Sequence, residues 1–191
     1  MRIAPIPLFA VVNNMSIEDA GHLTDEAVAI THHHPLGIIP AVMMSYIIYR
    51  LMQDEFPSRA TLEGHINESM ESVRVMYPED KRYLDTMSNL VDLTLSLVDN
   101  DQSDVSNIKH TGGGWVAEET LAIALYCSLR YFDDFEHAVI AAVNHAGDSD
   151  STGAVVGNIL GTAVGYNAIP QYFKDDLELV DVIIKLANMI V

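Results

Sequence analysis

Apolar positions recur at three- and four-residue spacings along most of the chain, and Val, Ile and Thr do not alternate with polar residues in the period of a half-buried strand. The pattern predicts an all-α fold. Met1 to Asn14, with Pro5 and Pro7, reads as an extended lead-in, after which Ser16 and Asp19 make a capping signal for a helix to about His33. Pro35 restarts the chain. Pro35 to Gln53 is apolar on nearly all sides and predicts a central helix, with Pro40 either at its true first turn or at a kink. Two more polar helices follow. Ser58 to Met76 aligns Leu62, Ile66, Met70 and Val73 on one stripe, and Glu79 to Val98 does the same with Leu84, Met87, Val91, Leu95 and Val98. Asn100 to Gly114 reads as a loop with room for one helical turn. Helices resume at about Ala117 to Phe132 and Asp134 to His145, the second capped from Asp133-Asp134, and another follows Asp150. Pro170 interrupts the chain before a closing amphipathic helix, about Leu177 to Met189.

Length and composition narrow the function. The 191 residues, 49% apolar, suit one domain over 1–191, with no linker, repeat or low-complexity tract. Twenty-seven acidic against 10 basic residues leave a net charge of −17, which repels phosphate backbones and anionic lipid, so neither nucleic acid nor membrane is an expected partner. A cation is the more natural one. Apolar runs are too short to span a bilayer: Pro35 to Leu51 is interrupted by Pro40 and Ser45, and Ala154 to Tyr166 by Asn158 and Thr162. The single Cys127 fits a reducing compartment, and the N-terminus lacks the pattern of a secretion signal, so a cytoplasmic location is expected.

Chemistry concentrates in Asn144 to Gly153, which joins one predicted helix to the next. Residues two apart on a helix diverge by about 200°, so Asp148 and Asp150 converge only if Gly147 to Asp150 lies outside the helix. Two converging carboxylates repel unless a proton, an arginine or a metal relieves them. With the Ser151 hydroxyl they form an all-oxygen set suited to Mg²⁺ or Mn²⁺. The alternative is a simple helix N-cap, since Asp and Ser satisfy the first N–H groups of a helix. Gly153, Gly157, Gly161 and Gly165 then fall every fourth residue, a costly stripe that implies close helix packing, with ligand approach plausible only near Gly153.

Two further segments stand out. In Thr31-His32-His33-His34-Pro35, adjacent histidines point about 100° apart on a helix, so one facing a polar cavity is a better reading than a zinc site. Gly112-Gly113-Gly114-Trp115 offers backbone N–H groups beside an aromatic surface, able to hold a phosphate or diol and stack a base. A helix-leading loop with a core tryptophan explains the same residues equally well.

Taken in order, Met1-Arg2-Ile3-Ala4-Pro5, Thr31-His32-His33-His34-Pro35, Gly114-Trp115-Val116-Ala117-Glu118-Glu119 and Gly147-Asp148-Ser149-Asp150-Ser151-Thr152-Gly153 resemble the ADP-ribosylglycohydrolase family, including its dinitrogenase reductase-activating members. The resemblance implies a compact orthogonal multi-helix bundle around a binuclear Mg²⁺ or Mn²⁺ centre that holds the ribose diol of ADP-ribose. It implies a hydrolase that cleaves the bond from ribose C1″ to a modified side chain or small molecule. Asp148, Asp150 and Ser151 would be metal ligands, Ser151 standing where many relatives have threonine. His32 falls near the diphosphate, and Gly112, Gly113, Gly114 and Trp115 in the nucleotide pocket, Trp115 replacing a frequent tyrosine. Family members also carry an earlier glycine- and acid-rich helix and a Thr-Asp-Asp element, which hold the other ligands and the catalytic acidic residue. No Thr-Asp-Asp occurs here. The chain therefore reads as the C-terminal portion of the family fold, with Met1 in place of an internal methionine and no catalytic residue assigned. Activity would then call for a separate N-terminal fragment, and apolar surface left where the missing helices would pack predicts a homo-oligomer or dependence on a partner. The alternative is a catalytically silent helical domain that binds ADP-ribose or nucleotide weakly, or serves only in association.

Overall fold

The central helices are those whose sequence offers no polar face. The structure, a computed structural model, describes residues 1–175 and 177–190, and those residues form eleven helices and no strand. The first three are α1 (Pro5–Val12), α2 (Ile17–Ala29) and α3 (Pro35–Leu51). In α3 nearly every side chain from Ile39 to Leu51 is buried. Its start is fixed by His34, whose Nδ1 accepts from the Leu36 amide at 3.2 Å, with Pro35 in the first turn. Pro40 therefore lies inside the helix, which runs through it.

Around α3 pack α4 (Arg59–Met76), α5 (Lys81–Leu97), α7 (Ala117–Arg130) and α9 (Ser149–Val164). The expected stripes of α4 and α5 face inward: Leu62, Ile66, Met70 and Val73 are buried on the first, Leu84, Met87 and Val91 on the second. The second internal helix is α7, buried continuously from Thr120 to Leu129. One apolar cluster joins all five of these helices to α8 (Phe135–Val143), and no described helix is long and apolar enough to cross a membrane.

Two segments differ from expectation for reasons of backbone chemistry. The lead-in containing Pro5 and Pro7 is helical, not extended, because both prolines fall in the first turn of α1, where backbone N–H groups have no intrahelical partner to lose. Within Asn100 to Gly114, α6 (Asp104–Thr111) makes two turns instead of at most one. Ser103 caps it by accepting from the Ser106 amide at 3.3 Å, while Asn107, Ile108 and Thr111 are buried. Capping and burial together outweigh the run of polar residues.

Further differences lie at the C-terminal end. The stripe on α9 is not a close-packing seam among the described residues: a Cβ on Gly157 would meet nothing within 4 Å, one on Gly161 would touch Ile169 at 3.8 Å, and only Gly153 is crowded, by Val143. Gly165 ends the helix at φ 74°. A short α10 (Tyr172–Asp175) precedes α11 (Val180–Ile190), which lies beside α1 and has no buried residue.

Candidate functional site

A cleft of about 700 Å³ opens where the starts of α3, α7 and α9 meet Met1 to Ile3. Arg2, His32, Gly114, Trp115, Asp148 and Ser151 are on its wall, so residues more than a hundred positions apart share one space. Of the residues singled out by sequence, Gly112, Gly113 and Asp150 do not line it. Arg2 is the one arginine or lysine among the described lining residues, which also include the acidic Glu118 and Asp148. Its Nη2 is anchored by the Ala27 carbonyl at 2.6 Å and the Thr31 hydroxyl at 2.9 Å. His34 lines the cleft beside His32, and the Thr31 hydroxyl bonds His32 Nδ1 at 2.8 Å.

The α8–α9 turn sets the carboxylates. Asp148 occupies the N-cap position of α9 at φ −77° and ψ 73°, outside the helix, while Asp150 lies in its first turn. The sequence argument placed Gly147 to Asp150 outside the helix; Ser149 and Asp150 instead form its first turn, and only Gly147 and Asp148 precede it. Its carboxylate makes no capping hydrogen bond to the backbone. Instead Oδ2 accepts from the Ser151 hydroxyl at 2.7 Å. That hydroxyl, followed by the neighbouring Asp150 side chain, holds the Asp148 carboxyl below its ordinary range. Ser151 is 7% exposed and Asp150 is exposed. Behind them the Thr152 hydroxyl donates to the Ala142 carbonyl at 2.6 Å, which leaves it to accept from His145 Nε2 at 3.0 Å. This pair ties the end of α8 to the first turn of α9.

The opposite wall is the loop between α6 and α7. Gly112 and Gly114 adopt φ of 125° and 74°, values that a side chain would strain. The two amides that the sequence suggested for a phosphate are already engaged: Gly113 N and Gly114 N both donate to Glu119 Oε2, at 3.0 and 3.1 Å. Thr120 Oγ1 donates to the Gly114 carbonyl at 2.8 Å. Trp115 is not a core residue but 73% exposed at the rim. The two walls are joined, since Asp148 N donates to the Gly113 carbonyl at 2.9 Å. A Cβ on Gly147 would overlap that same carbonyl.

Sequence reading quoted Arg2, His34, Glu119 and Thr152 within its motifs but gave them no role at the site, and it did not single out Thr120. Only Glu119 and Thr152 had a local signal: a carboxylate five and six residues beyond two glycine amides, and a threonine in the first turn after a histidine. A second cleft of about 510 Å³ between α4 and α5 holds none of the singled-out residues, and its guanidiniums are paired, Arg50 with Glu68 at 3.5 Å and Arg74 with Glu71 at 3.6 Å.

Asp148, Asp150 and Ser151 lie next to one another and carry hard oxygen donors, whose chemistry fits a divalent cation such as Mg²⁺ or Mn²⁺. Such cations take about six oxygen ligands, and among the described residues no group of three or more His, Cys, Asp or Glu side chains converges. The set is thus a partial one.

The all-α bundle thus sets an acidic helix start across a cleft from an aromatic loop. The sequence profile described as ADP-ribosylglycohydrolase matches residues 1–191, and the chain belongs to that family. Among curated proteins it is similar to ADP-ribosylhydrolase ARH3 of Homo sapiens, 23% identical over 200 residues, covering 93% of this chain and 52% of the relative. The Mus musculus protein of that name is 24% identical, covering 93% and 51%, and the Gallus gallus protein 21% identical, covering 98% and 54%. The chain spans about half the length of these relatives.

Proposed function

We propose that the cleft binds the ADP-ribose moiety of an ADP-ribosylated protein or small molecule, as part of a metal-dependent ADP-ribosyl hydrolase. The observation that supports this reading is that His32, Gly114, Trp115, Asp148 and Ser151 line one cleft. Trp115 offers an exposed ring for the base. Arg2 and His32 face the diphosphate. Asp148, Asp150 and Ser151 hold a divalent cation, Mg²⁺ or Mn²⁺, which when bound orients the ribose hydroxyls and stabilises charge developing at the cleaved bond. In that cleavage the bond from C1″ to the modified atom breaks, the oxygen of water bonds C1″, and a proton of that water passes to the departing group. The remaining oxygen donors and the acid–base residue come from another polypeptide segment, supplied separately or by a partner.

Calorimetry of the chain with Mn²⁺ and with ADP-ribose tests the reading. Saturable heat is expected with each, and Asp148→Asn should weaken Mn²⁺ at least about tenfold, because charge count sets affinity at oxygen sites. No heat with either ligand overturns it. A second reading, a binding domain without turnover, is favoured by the partial donor set. Binding without release of ADP-ribose from a modified peptide, in the presence of Mn²⁺, selects the second.

A further inference from the structure

Glu119 engages the cleft from behind. Its side chain is half-buried, and a single oxygen, Oε2, takes the amides of both Gly113 and Gly114. Successive N–H groups next to left-handed glycines converge and attract an anion. Here that anion belongs to the chain itself. The contact is tight, since a Cβ on Gly112 would overlap the Glu119 side chain. The consequences run in two directions. Toward the rim, the fixed glycines set where Trp115 leaves the loop. Toward α9, they set the Gly113 carbonyl, which receives the Asp148 N–H at 2.9 Å and lies against Gly147 with no room for a Cβ. Gly114 is seated against Thr152, where a Cβ would come within 3.0 Å of Cγ2.

We infer that Glu119 is a positioning residue: its carboxylate locks the Gly112–Trp115 loop and, through the Gly113 carbonyl, holds the Asp148 turn in register with it, so that the two walls of the cleft are ordered by one side chain. Its effect on ligand affinity rests on the reading of the cleft as an ADP-ribose site. Its effect on the loop does not.

Trp115 is the only tryptophan, so its fluorescence reports the loop without a label. Three variants separate the roles. Glu119→Gln keeps one oxygen able to accept from both amides, Glu119→Leu keeps the bulk without an acceptor, and Glu119→Ala removes both. Asp99→Asn, at a surface pair with Arg59 remote from the cleft, serves as control. Well below the melting temperature, time-resolved anisotropy of Trp115 should gain a fast component in the Leu and Ala variants and resemble the unsubstituted chain in the Gln and control variants. ADP-ribose affinity should fall about tenfold for Leu and Ala, as expected for amides left unpaired, and stay within about threefold for Gln. Unchanged Trp115 anisotropy in the Leu variant overturns the inference, as does a Gln variant as loosened as Leu, or an affinity that tightens when the carboxylate is removed. If the Ala variant does not fold, the Gln and Leu pair decides. Should the unsubstituted chain bind no ADP-ribose while Glu119→Leu still loosens Trp115, the positioning role stands and the ADP-ribose reading falls.

Discussion

At the scale of single residues, the site depends on where a side chain is forbidden. Gly147→Ala would drive a methyl into the Gly113 carbonyl, a backbone atom that cannot rotate away. Denaturant unfolding should show a loss of about 1–3 kcal/mol, the range for overpacking. Gly157→Ala is the opposite case. Nothing stands within 4 Å of its Cβ position, so the variant should gain up to about 1 kcal/mol from helix propensity alone. His145 adds a pH dependence. Burial lowers its pKa from 6.5, opposed by hydrogen bonding toward Ala142 and by the Asp148 charge. The unfolded chain therefore binds the proton more readily, and stability falls as pH drops from 6.5 through the lower folded value. Melting temperatures measured across that window should decline on acidification, and His145→Gln should flatten the slope; a slope unchanged by the substitution would assign it to other groups.

At the scale of elements, helix ends carry much of the information. Ser16 and Ser58 form reciprocal caps with Asp19 and Thr61; the first was legible as a capping pair, the second only as the start of a helix. The α6 helix was not, because its support is remote. Tyr126 on α7 donates to Asp104 at 2.7 Å and accepts from Asn107 at 3.0 Å, while Tyr131 donates to Asp104 at 2.8 Å and Arg130 pairs with it at 3.1 Å. These bonds link positions 19 to 27 apart and fix a segment whose own sequence reads as loop. Tyr126→Phe leaves the Asn107 amide short of a partner in a buried setting, and should cost about 1–3 kcal/mol by chemical denaturation. The loss should appear first as faster hydrogen exchange across α6.

At the scale of the whole molecule, the core and the C-terminal end behave as separate investments of apolar surface. The buried cluster runs through α3, α4, α5, α7, α8 and α9, whereas α11 exposes Val182, Ile183, Ile184, Leu186 and Met189. A chain ending at Leu179 should therefore keep its fold, its melting temperature moving by less than about 4 °C, the shift that about 1 kcal/mol produces in a chain of this length. A larger loss would mean that α11 is anchored more firmly than its exposure indicates.

The sequence by itself determined the helical class, the inward stripes of α4 and α5, the central place of α3 and the acidic turn before α9, because each follows from spacing or capping within a few neighbours. Only the tertiary structure decided that Arg2 and His34 share a cleft with Asp148, that Glu119 occupies the loop amides, and that α1 and α6 are helices. Those outcomes depend on which surfaces meet across the bundle, and no local periodicity encodes a contact between groups far apart along the chain.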